Sequence, residues 1–459
     1  MNTGIYEINL NENNSLALIG SIAFFINEML YVPLLDKLVL TSASNVLNSI
    51  EDFEMYSLDL QNSSLLTKLA ENQAIEEDLQ LSNDGKRILF LTLSLASSKS
   101  QMSNTQGRLY SIDLSNGELQ HIGANISANI VGYACQSDEN ILILGQLGTQ
   151  VQIYANQSSI HYLGWNGTYE SLVTSKKKNF IAFVHSSFDK PMKVYIIDRI
   201  DELSVTQSIT NHNELFTERN LPHGKVYSWK NRDDNQTIEG ILYYLFDKLQ
   251  STNRPLLVLC HGGPYYASVN QMNYNGANCA PLAALHGWLV LEPNYRGSTG
   301  YGDVFLNEIR HQPLSPPGKD ILFGIDSLIQ DGIVDFQRLA IAGYSYGGFL
   351  TNCSTWGILD MPVLIENLFG GFPWNVPDLY QKESPIYKLG KVRTLTHNIT
   401  GEMDVRVPPS QSHILERALY YRGVPVELLI FPRESHAFNQ NPKHQNKVQR
   451  ELQWLHKYL

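Results

Sequence analysis

The sequence predicts two domains: an all-β, propeller-like domain that is incomplete, followed by an α/β domain with a mostly parallel sheet and helices on both faces. Three observations support this prediction. The chain has 459 residues, more than one ordinary hydrophobic core accommodates. Up to about residue 215, short β-rich segments alternate with turns. After about Leu221, strand-like and helix-like segments alternate, which is typical of a parallel sheet.

A strand with a central tyrosine recurs along the first domain, in segments such as EMYSLDL, RLYSIDL and MKVYIID. The aligned tyrosines are Tyr6, Tyr56, Tyr110, Tyr154 and Tyr195. Their spacing of 41 to 54 residues is the size of a four-stranded propeller blade, so residues 1–215 are expected to form four or five blades. Another all-β fold is the alternative. Because Met1 lies almost at the repeated strand, we expect a propeller that is truncated or closed by an unusual partner.

The second domain is predicted over residues 222–459, after the polar boundary segment Thr210–Gly224. Its predicted strands are Lys225–Trp229, Ile238–Leu245, Pro255–Cys260, Trp288–Glu292, Leu339–Ala342, Val392–Thr400 and Val426–Phe431. Its predicted helices are Ala277–His286, Asp320–Gln330, Pro409–Tyr421 and His444–Tyr458.

Composition limits the classes of partner. A net charge of −11 argues against nucleic acid or an anionic membrane surface as the main partner. The four cysteines are widely spaced without a CxxC pair, which is typical of a reducing compartment, and the first residues hold no basic cluster that would open a signal peptide. We therefore expect a cytoplasmic location. The sequence does not fix the oligomeric state, so a homo-oligomer is left open.

Ser345 is the candidate nucleophile. It lies in the motif Gly343-Tyr344-Ser345-Tyr346-Gly347, directly after the apolar segment RLAIAG and before a predicted helix. Glycines two residues on either side allow a sharp strand-to-helix turn with the serine exposed at its apex. The motif alone is weak evidence, because a glycine-rich bend without chemistry has the same pattern. The decision depends on whether the chain supplies a base and an orienting acid.

An acid and a histidine follow Ser345 in the order that this arrangement requires. Asp404 lies in the loop after one predicted strand, in ITGEMDVRVPP, and His436 lies just past the next, in LLIFPRESHAF. The carboxyl ends of parallel strands meet at one edge of a sheet, so both residues are expected beside Ser345. Serine needs such a base, and the base needs an orienting acid, because the alkoxide is inaccessible at neutral pH. Glu402 is an alternative orienting acid.

The oxyanion of an acyl-transfer intermediate needs two donors. One is expected to be the backbone N–H of Tyr346, and the other is expected from the segment CHGGPYY, where His261-Gly262-Gly263-Pro264 follows a predicted strand. For the His261 side chain we favour a packing role. Arg296, in NYRGSTGYG, holds its loop by an ion pair or contacts a substrate carboxylate, and the structural role is favoured. No HExxH, P-loop or dinucleotide fingerprint occurs, so the sequence implies no metal and no cofactor.

A cluster of acidic residues in the first domain is a weaker candidate. Glu76, Glu77 and Asp78 are consecutive and have the charge needed to bind a substrate's free amine. A solvated charge run is the interpretation that we favour.

Six segments of the second domain are similar to the prolyl oligopeptidase family of serine peptidases, closest to its acylaminoacyl-peptidase and dipeptidyl-peptidase-like branch. They are HGGP, NYRGSTGYG, GYSYGGF, ESPIYKL, TGEMDVRVPPSQS and FPRESHAF, and the resemblance spans Lys225 to Leu459. It implies an α/β-hydrolase fold and cleavage of short peptides through an acyl-enzyme, with the propeller as a size filter. It also implies that Ser345 is the nucleophile, His436 the general base and Asp404 the orienting acid, with Tyr346 and Gly263 at the oxyanion positions.

Two segments depart from that pattern and motivate other hypotheses. The segment after Trp356 is short, and only Val363–Ile365 resembles the strand expected before the one that precedes Asp404. In that next strand, His397 and Asn398 occupy positions that are apolar in a buried strand. We therefore keep a catalytically impaired remnant that binds peptides or partners as one alternative. An esterase that uses the same catalytic residues is another.

Overall fold

The computed structural model describes most of the chain. The described residues are 3–9, 15–22, 26–43, 53–61, 66–69, 76–98, 101–137, 139–175, 180–211, 213, 221–245, 253–272, 279–351, 368–438 and 441–458. The predicted boundary Thr210–Gly224 lies largely outside them, and so does the short segment Val363–Ile365. Among the described helices, none is long and apolar enough to cross a membrane.

The amino-terminal part is all β, as the sequence predicts. Its strands are β1 (Thr3–Asn9), β2 (Ser15–Ile22), β3 (Ile26–Val32), β4 (Lys37–Ala43), β5 (Phe53–Asp59), β6 (Leu66–Lys68), β7 (Glu76–Leu81), β8 (Arg87–Ser98), β9 (Gln101–Asp113), β10 (Leu119–Ile122), β11 (Asn129–Cys135), β12 (Ile141–Leu147), β13 (Gln150–Ala155), β14 (Thr168–Thr174), β15 (Ile181–Ser187) and β16 (Lys190–Ile197). A short 3₁₀ helix follows at Ile200–Glu202. We call this part the β-rich domain.

Four of the five repeated tyrosines lie on the third strand of a repeated unit, and Tyr6 lies on β1 of the two-stranded sheet β1-β2. In the sheets β3-β4-β5-β6 and β7-β8-β9-β10, Tyr56 lies on β5 and Tyr110 on β9. The next sheet, β11 to β16, consists of two three-stranded units, β11 to β13 and β14 to β16, joined by a single parallel pairing of Val151 with Thr168. Tyr154 and Tyr195 lie on their third strands, β13 and β16. Two of the units therefore have the four strands that the tyrosine spacing predicts for a blade, whereas the last two have three, and the described strands form no closed propeller.

His185 is enclosed by aromatic rings in the last of these units. Its ring centroid lies 4.6 Å from that of Tyr169 and 5.2 Å from that of Trp165. Burial among these rings disfavours the charged imidazolium and lowers the pKa of His185 from 6.5 to about 4. Between about pH 4 and pH 6.5, His185 therefore binds more protons in the unfolded chain than in the folded protein.

We expect acid to destabilise the β-rich domain through this histidine. The contribution of neutral His185 to the unfolding free energy is complete above pH 6.5 and is lost as the pH falls towards 4. We expect the unfolding free energy to fall by about 2 kcal/mol between pH 7.5 and 5. Urea unfolding at a series of pH values measures the slope of the unfolding free energy against pH. His185→Phe should flatten it, whereas His161→Asn, at an exposed histidine, should not. Equal slopes for the parent and His185→Phe would contradict this assignment.

The carboxyl-terminal part is an α/β domain. Its strands are β17 (His223–Lys230), β18 (Thr237–Tyr244), β19 (Arg254–Cys260), β20 (Leu289–Asn294), β21 (Val334–Gly343), β22 (Thr396–Gly401) and β23 (Val426–Phe431). Its helices are α1 (Ala280–Leu285), α2 (Gly302–Asn307), α3 (Ser315–Gln330), α4 (Tyr346–Leu350), α5 (Pro377–Glu383), α6 (Pro409–Tyr421) and α7 (Asn441–Tyr458), with a 3₁₀ helix at Pro385–Lys391.

The larger sheet is covered on both faces. It has the order β17-β18-β20-β19-β21, and β20, β19 and β21 are parallel. Successive residues of a strand point to opposite faces, so Leu256 packs with Ile321 of α3 while Leu257 packs with Ala283 of α1. Both leucines are buried. The alternation gives the mostly parallel sheet with helices on both faces that the sequence predicts.

The strands β22 and β23 form a separate parallel pair. Within the described chain, no pairing joins β22 to β21, which is the edge strand of the larger sheet. The side-chain atoms His397 Nε2 and Asn398 Nδ2 are buried without a hydrogen-bond partner among the described residues, as expected for polar residues in a buried strand. The nucleophile motif and the candidate acid and base therefore lie on two separate sheets.

Helix α7 contacts both sheets. Leu455 belongs to the cluster that covers the larger sheet. Trp454 stacks on His397 of β22 with ring centroids 5.2 Å apart. In the first turn, Lys443 forms a 2.9 Å ion pair with Glu434, which lies in the segment after β23. Helix α7 thus connects the larger sheet, β22 and the segment that leads to His436.

Candidate active site

Ser345 lies at the apex of a sharp turn between β21, which ends at Gly343, and α4, which begins at Tyr346. Its backbone has φ 56° and ψ −117°, in the positive-φ region that non-glycine residues rarely adopt. A Cβ at Gly343 would lie 2.2 Å from the Gly347 carbonyl oxygen, and one at Gly347 would lie 2.0 Å from that of Cys260. Neither position has room for a side chain. The glycine pattern around Ser345 therefore follows from backbone contacts in this turn.

Asp404 and His436 form a hydrogen-bonded pair. His436 Nδ1 donates to Asp404 Oδ2 at 2.8 Å, and Asp404 is only 7% exposed. The other carboxylate oxygen accepts the backbone N–H groups of Arg406 and Val407 at 3.0 and 2.8 Å. With the Nδ1 proton committed to the aspartate, the Nε2 lone pair of a neutral His436 is available to accept a proton.

The two strand ends explain why this pair forms. β22 and β23 are parallel and in register up to the pairing of Gly401 with Phe431. Asp404 and His436 follow these strand ends within a few residues, so the two loops leave the same edge side by side. Glu402, the alternative acid, is turned elsewhere: its Oε2 accepts the backbone N–H of Arg433 at 2.9 Å.

Tyr344 connects the acid–base pair to the nucleophile turn. Its hydroxyl donates to the His436 carbonyl oxygen at 2.6 Å, and the two rings lie 5.0 Å apart. Burial and the charge of Asp404 raise the pKa of Tyr344 to about 12, so the phenol keeps its proton at neutral pH. Among the described contacts, the Ser345 hydroxyl makes no hydrogen bond with His436. Such bonds are often long without substrate and tighten when it binds.

The predicted oxyanion residues lie beside Ser345. A Cβ at Gly262 would be 3.2 Å from the Ser345 Cβ, so the loop that includes Gly263 passes directly next to the nucleophile. Gly263 has φ +119°, which favours glycine. Tyr346 is the first residue of α4, where a backbone N–H has no partner within its helix. Its side chain is buried, and its hydroxyl donates to the Pro313 carbonyl.

The His261 side chain is engaged in packing, as the sequence analysis favours. Its ring stacks on Tyr295 with centroids 4.3 Å apart. Its Nε2 is 3.0 Å from the Ser298 hydroxyl, and its Nδ1 is 2.7 Å from the Gly262 carbonyl oxygen. Burial lowers the pKa of His261 to about 4, so the ring is neutral at physiological pH. These contacts fix the start of the Gly263 loop.

The Arg296 side chain is held by ion pairs within the protein, in the structural role that the sequence analysis favours. It forms a two-point ion pair with the fully buried Asp320, at 3.0 and 2.8 Å, and further contacts Asp234 and Glu308. Burial opposes its charge, but the hydrogen bonds with Asp320 outweigh this effect and the pKa of Arg296 is raised. Its charge is thus neutralised within the protein.

The acidic cluster in the β-rich domain is not a solvated charge run, and that interpretation is wrong. Glu76 is fully buried. Burial raises the pKa of both Glu77 and Asp78, and the Glu28 charge adds to this effect. These residues lie on β7, which pairs with β8, so they are part of a sheet and not of an exposed loop.

Sequence reasoning missed the contacts of Tyr344 and Ser298. Both lie in motifs that the sequence analysis quotes, GYSYGGF and NYRGSTGYG, but their partners His436 and His261 are remote in sequence. The β-rich domain contributes Gln106 and Gln146, which hydrogen-bond to the segment after Ser298. No motif marks either glutamine.

Comparison with known proteins points to one family. Residues 275–356 and 359–459 match the model of the prolyl oligopeptidase family. The acylamino-acid-releasing enzyme of Rattus norvegicus is 32% identical over 255 residues, covering 48% of this chain and 34% of the relative. A probable dipeptidyl-peptidase 5 of Emericella nidulans is 31% identical over 242 residues, covering 46% of this chain and 32% of the relative. The chain thus spans about a third of these curated relatives.

Solved structures share the fold. An acylaminoacyl peptidase of Pyrococcus horikoshii superposes with a TM-score of 0.77 at 18% identity, covering 97% of this chain and 72% of that one. A puromycin hydrolase superposes with a TM-score of 0.73 at 16% identity, covering 98% of this chain and 82% of that one. At these identities the likeness concerns the fold alone. The predicted class, an α/β-hydrolase domain preceded by a β-rich domain, is confirmed.

Proposed function

We propose that this chain, whose α/β domain belongs to the prolyl oligopeptidase family, is a serine peptidase that hydrolyses short peptides through an acyl-enzyme. The observation that carries the proposal is the 2.8 Å hydrogen bond from His436 Nδ1 to Asp404 Oδ2, beside the strained turn of Ser345. The bond leaves His436 in the tautomer that a general base requires. Tyr344 holds the histidine against the nucleophile turn.

In the proposed reaction, His436 Nε2 takes the proton of the Ser345 hydroxyl as its oxygen attacks the scissile carbonyl carbon. The oxyanion that forms accepts hydrogen bonds from the backbone N–H groups of Tyr346 and Gly263. The protonated His436 then donates to the leaving amine, and the C–N bond breaks to give an ester on Ser345. Water, deprotonated by the same histidine, hydrolyses this ester and regenerates the serine.

We further propose that the β-rich domain restricts substrates to short peptides. Its strands β9 and β12 bind the segment after Ser298, which in turn contacts the loop at His261. A domain attached this close to the oxyanion loop limits the space for a long or folded chain. We also propose that the boundary between the two domains lies near residues 215–222.

Fluorophosphonate labelling of the purified, folded protein tests the proposal. We expect covalent capture at Ser345, since the reagent needs the same activated hydroxyl and oxyanion donors as a peptide. A folded protein that stays unlabelled would overturn it and support the alternative of an impaired remnant that binds peptides. The comparison of kcat/KM for a peptide and its matched ester separates a peptidase from an esterase.

A further inference from the structure

The segment 298–303, which follows β20 and includes the first two residues of α2, is held from two sides. On the α/β side, the Ser298 hydroxyl lies 3.0 Å from His261 Nε2, and the Thr299 N–H donates to the Tyr266 carbonyl at 3.2 Å. His261 and Tyr266 flank Gly263, so these two bonds span the loop beside Ser345. Any displacement of segment 298–303 is therefore transmitted to that loop.

Gln146, on β12 of the β-rich domain, holds the other side. Its Nε2 donates to the Thr299 carbonyl at 3.2 Å, and its Oε1 accepts the Thr299 hydroxyl at 3.0 Å. Asn129 Nδ2 donates to the same Oε1 at 2.9 Å and so fixes the orientation of the amide. Gln146 is only 4% exposed and Thr299 is half-buried, so an apolar replacement would remove both hydrogen bonds to Thr299.

Gln106, on β9, makes a second set of bonds to the same segment. Its Oε1 accepts the Gly300 N–H at 2.7 Å, and its Nε2 donates to the Gly302 carbonyl at 3.2 Å. The Gly148 N–H donates to the Gly300 carbonyl at 2.8 Å. Gly300 has φ +86°, and a Cβ there would lie 2.9 Å from Gln146 Nε2. The contact between the β-rich domain and segment 298–303 therefore depends on Gly300 and on the buried side-chain amides of Gln106 and Gln146.

We propose that Gln146 and Gln106 are positioning residues for the proposed peptidase reaction, which this inference takes as its premise. They hold segment 298–303, which contacts the loop that includes Gly263, and so they fix the position of the Gly263 N–H, one of the two proposed oxyanion donors. Because shifts of about 1 Å in a reacting geometry change rates by about a hundredfold, loss of these bonds lowers kcat although neither amide touches substrate.

The test compares Gln146→Leu with Gln152→Leu. Gln152 is also a buried glutamine, 7% exposed, on the neighbouring strand β13. Its amide donates to the carbonyls of Trp165 and Gly167, both within the β-rich domain. The two variants remove a similar buried amide, but only Gln146→Leu breaks the contact with segment 298–303.

We expect Gln146→Leu to lower kcat by about tenfold or more with KM within about twofold, and to slow fluorophosphonate labelling in parallel. Gln152→Leu should lower the urea unfolding midpoint to a similar extent with kcat nearly unchanged. Gln146→Glu, whose carboxylate cannot donate to the carbonyl oxygens of Thr299 and Gly148, should lower kcat as well. Equal losses of kcat in both leucine variants, or an unchanged kcat in Gln146→Leu, would overturn the proposal.

A second readout does not depend on activity. Hydrogen–deuterium exchange of a peptide covering residues 259–266 should be faster in Gln146→Leu than in the parent, and unchanged in Gln152→Leu. If the parent neither labels nor turns over substrate, the proposed function fails, while this difference in exchange still supports the positioning role. Identical exchange in the two variants would overturn the positioning role whatever the activity of the parent.

Discussion

Replacement of Ser345 by alanine is expected to lower kcat/KM for a short peptide by roughly 10⁴- to 10⁶-fold. The variant removes the hydroxyl that we propose attacks the substrate carbonyl, while the positive φ of 56° is no harder for alanine to adopt than for serine. Fluorophosphonate labelling should disappear completely. The measurement is the initial rate on the same peptide, with far-UV circular dichroism to show that the fold is kept.

The matched control is Ser384→Ala. Ser384 is a buried serine of the α/β domain, directly after α5, and none of the described hydrogen bonds joins it to Ser345 or His436. It should keep the rate of the parent, apart from any effect on stability. Residual labelling in Ser345→Ala, or an equal loss of rate in Ser384→Ala, would contradict the assignment of Ser345 as nucleophile.

Asp404→Asn is expected to lower kcat by roughly 10⁴-fold. An asparagine amide group facing His436 donates instead of accepting, so the histidine would carry its proton on Nε2. In that tautomer it has no lone pair to receive the serine proton. The backbone bonds from Arg406 and Val407 to the side-chain oxygen can persist, so the loop should keep its shape.

Glu402→Gln is the control for this second variant. Its carboxylate accepts the Arg433 N–H and does not contact His436, so the substitution should change kcat less than about threefold. The reverse result, with activity lost in Glu402→Gln and kept in Asp404→Asn, would assign the orienting role to Glu402. Steady-state kinetics on one peptide substrate decides between them.

Local patterns predicted the regular elements of the α/β domain well. The strand Val426–Phe431 and the helix Pro409–Tyr421 are found with the predicted bounds, since an apolar run and a proline in the first helical turn mark them. Helix α3 begins at Ser315 and not at Asp320, because two prolines fit its first turn. Strand β22 begins at Thr396, four residues later than predicted, after a 3₁₀ helix.

The candidate site was predictable only in part. The turn at Ser345 is encoded by glycines close in sequence, and the order of Asp404 and His436 follows from strand ends. The contact of Tyr344 with the His436 backbone joins residues that are 92 positions apart, and that of Gln146 with Thr299 spans 153 positions. Such contacts depend on how the two sheets and the two domains meet, which no local pattern records.

Helix α7 gives the catalytic arrangement an unusual dependence on residues far from the chemistry. The proposed nucleophile follows a strand of the larger sheet and the proposed acid and base follow the separate pair of strands. Helix α7 contacts both parts through Leu455, Trp454 and Lys443. Fraying of this one helix would remove these contacts and leave the position of the acid–base pair relative to Ser345 to the links that remain, such as the Tyr344–His436 hydrogen bond. On heating, we therefore expect activity to be lost at a lower temperature than the circular dichroism signal, because the two sheets separate before either one unfolds.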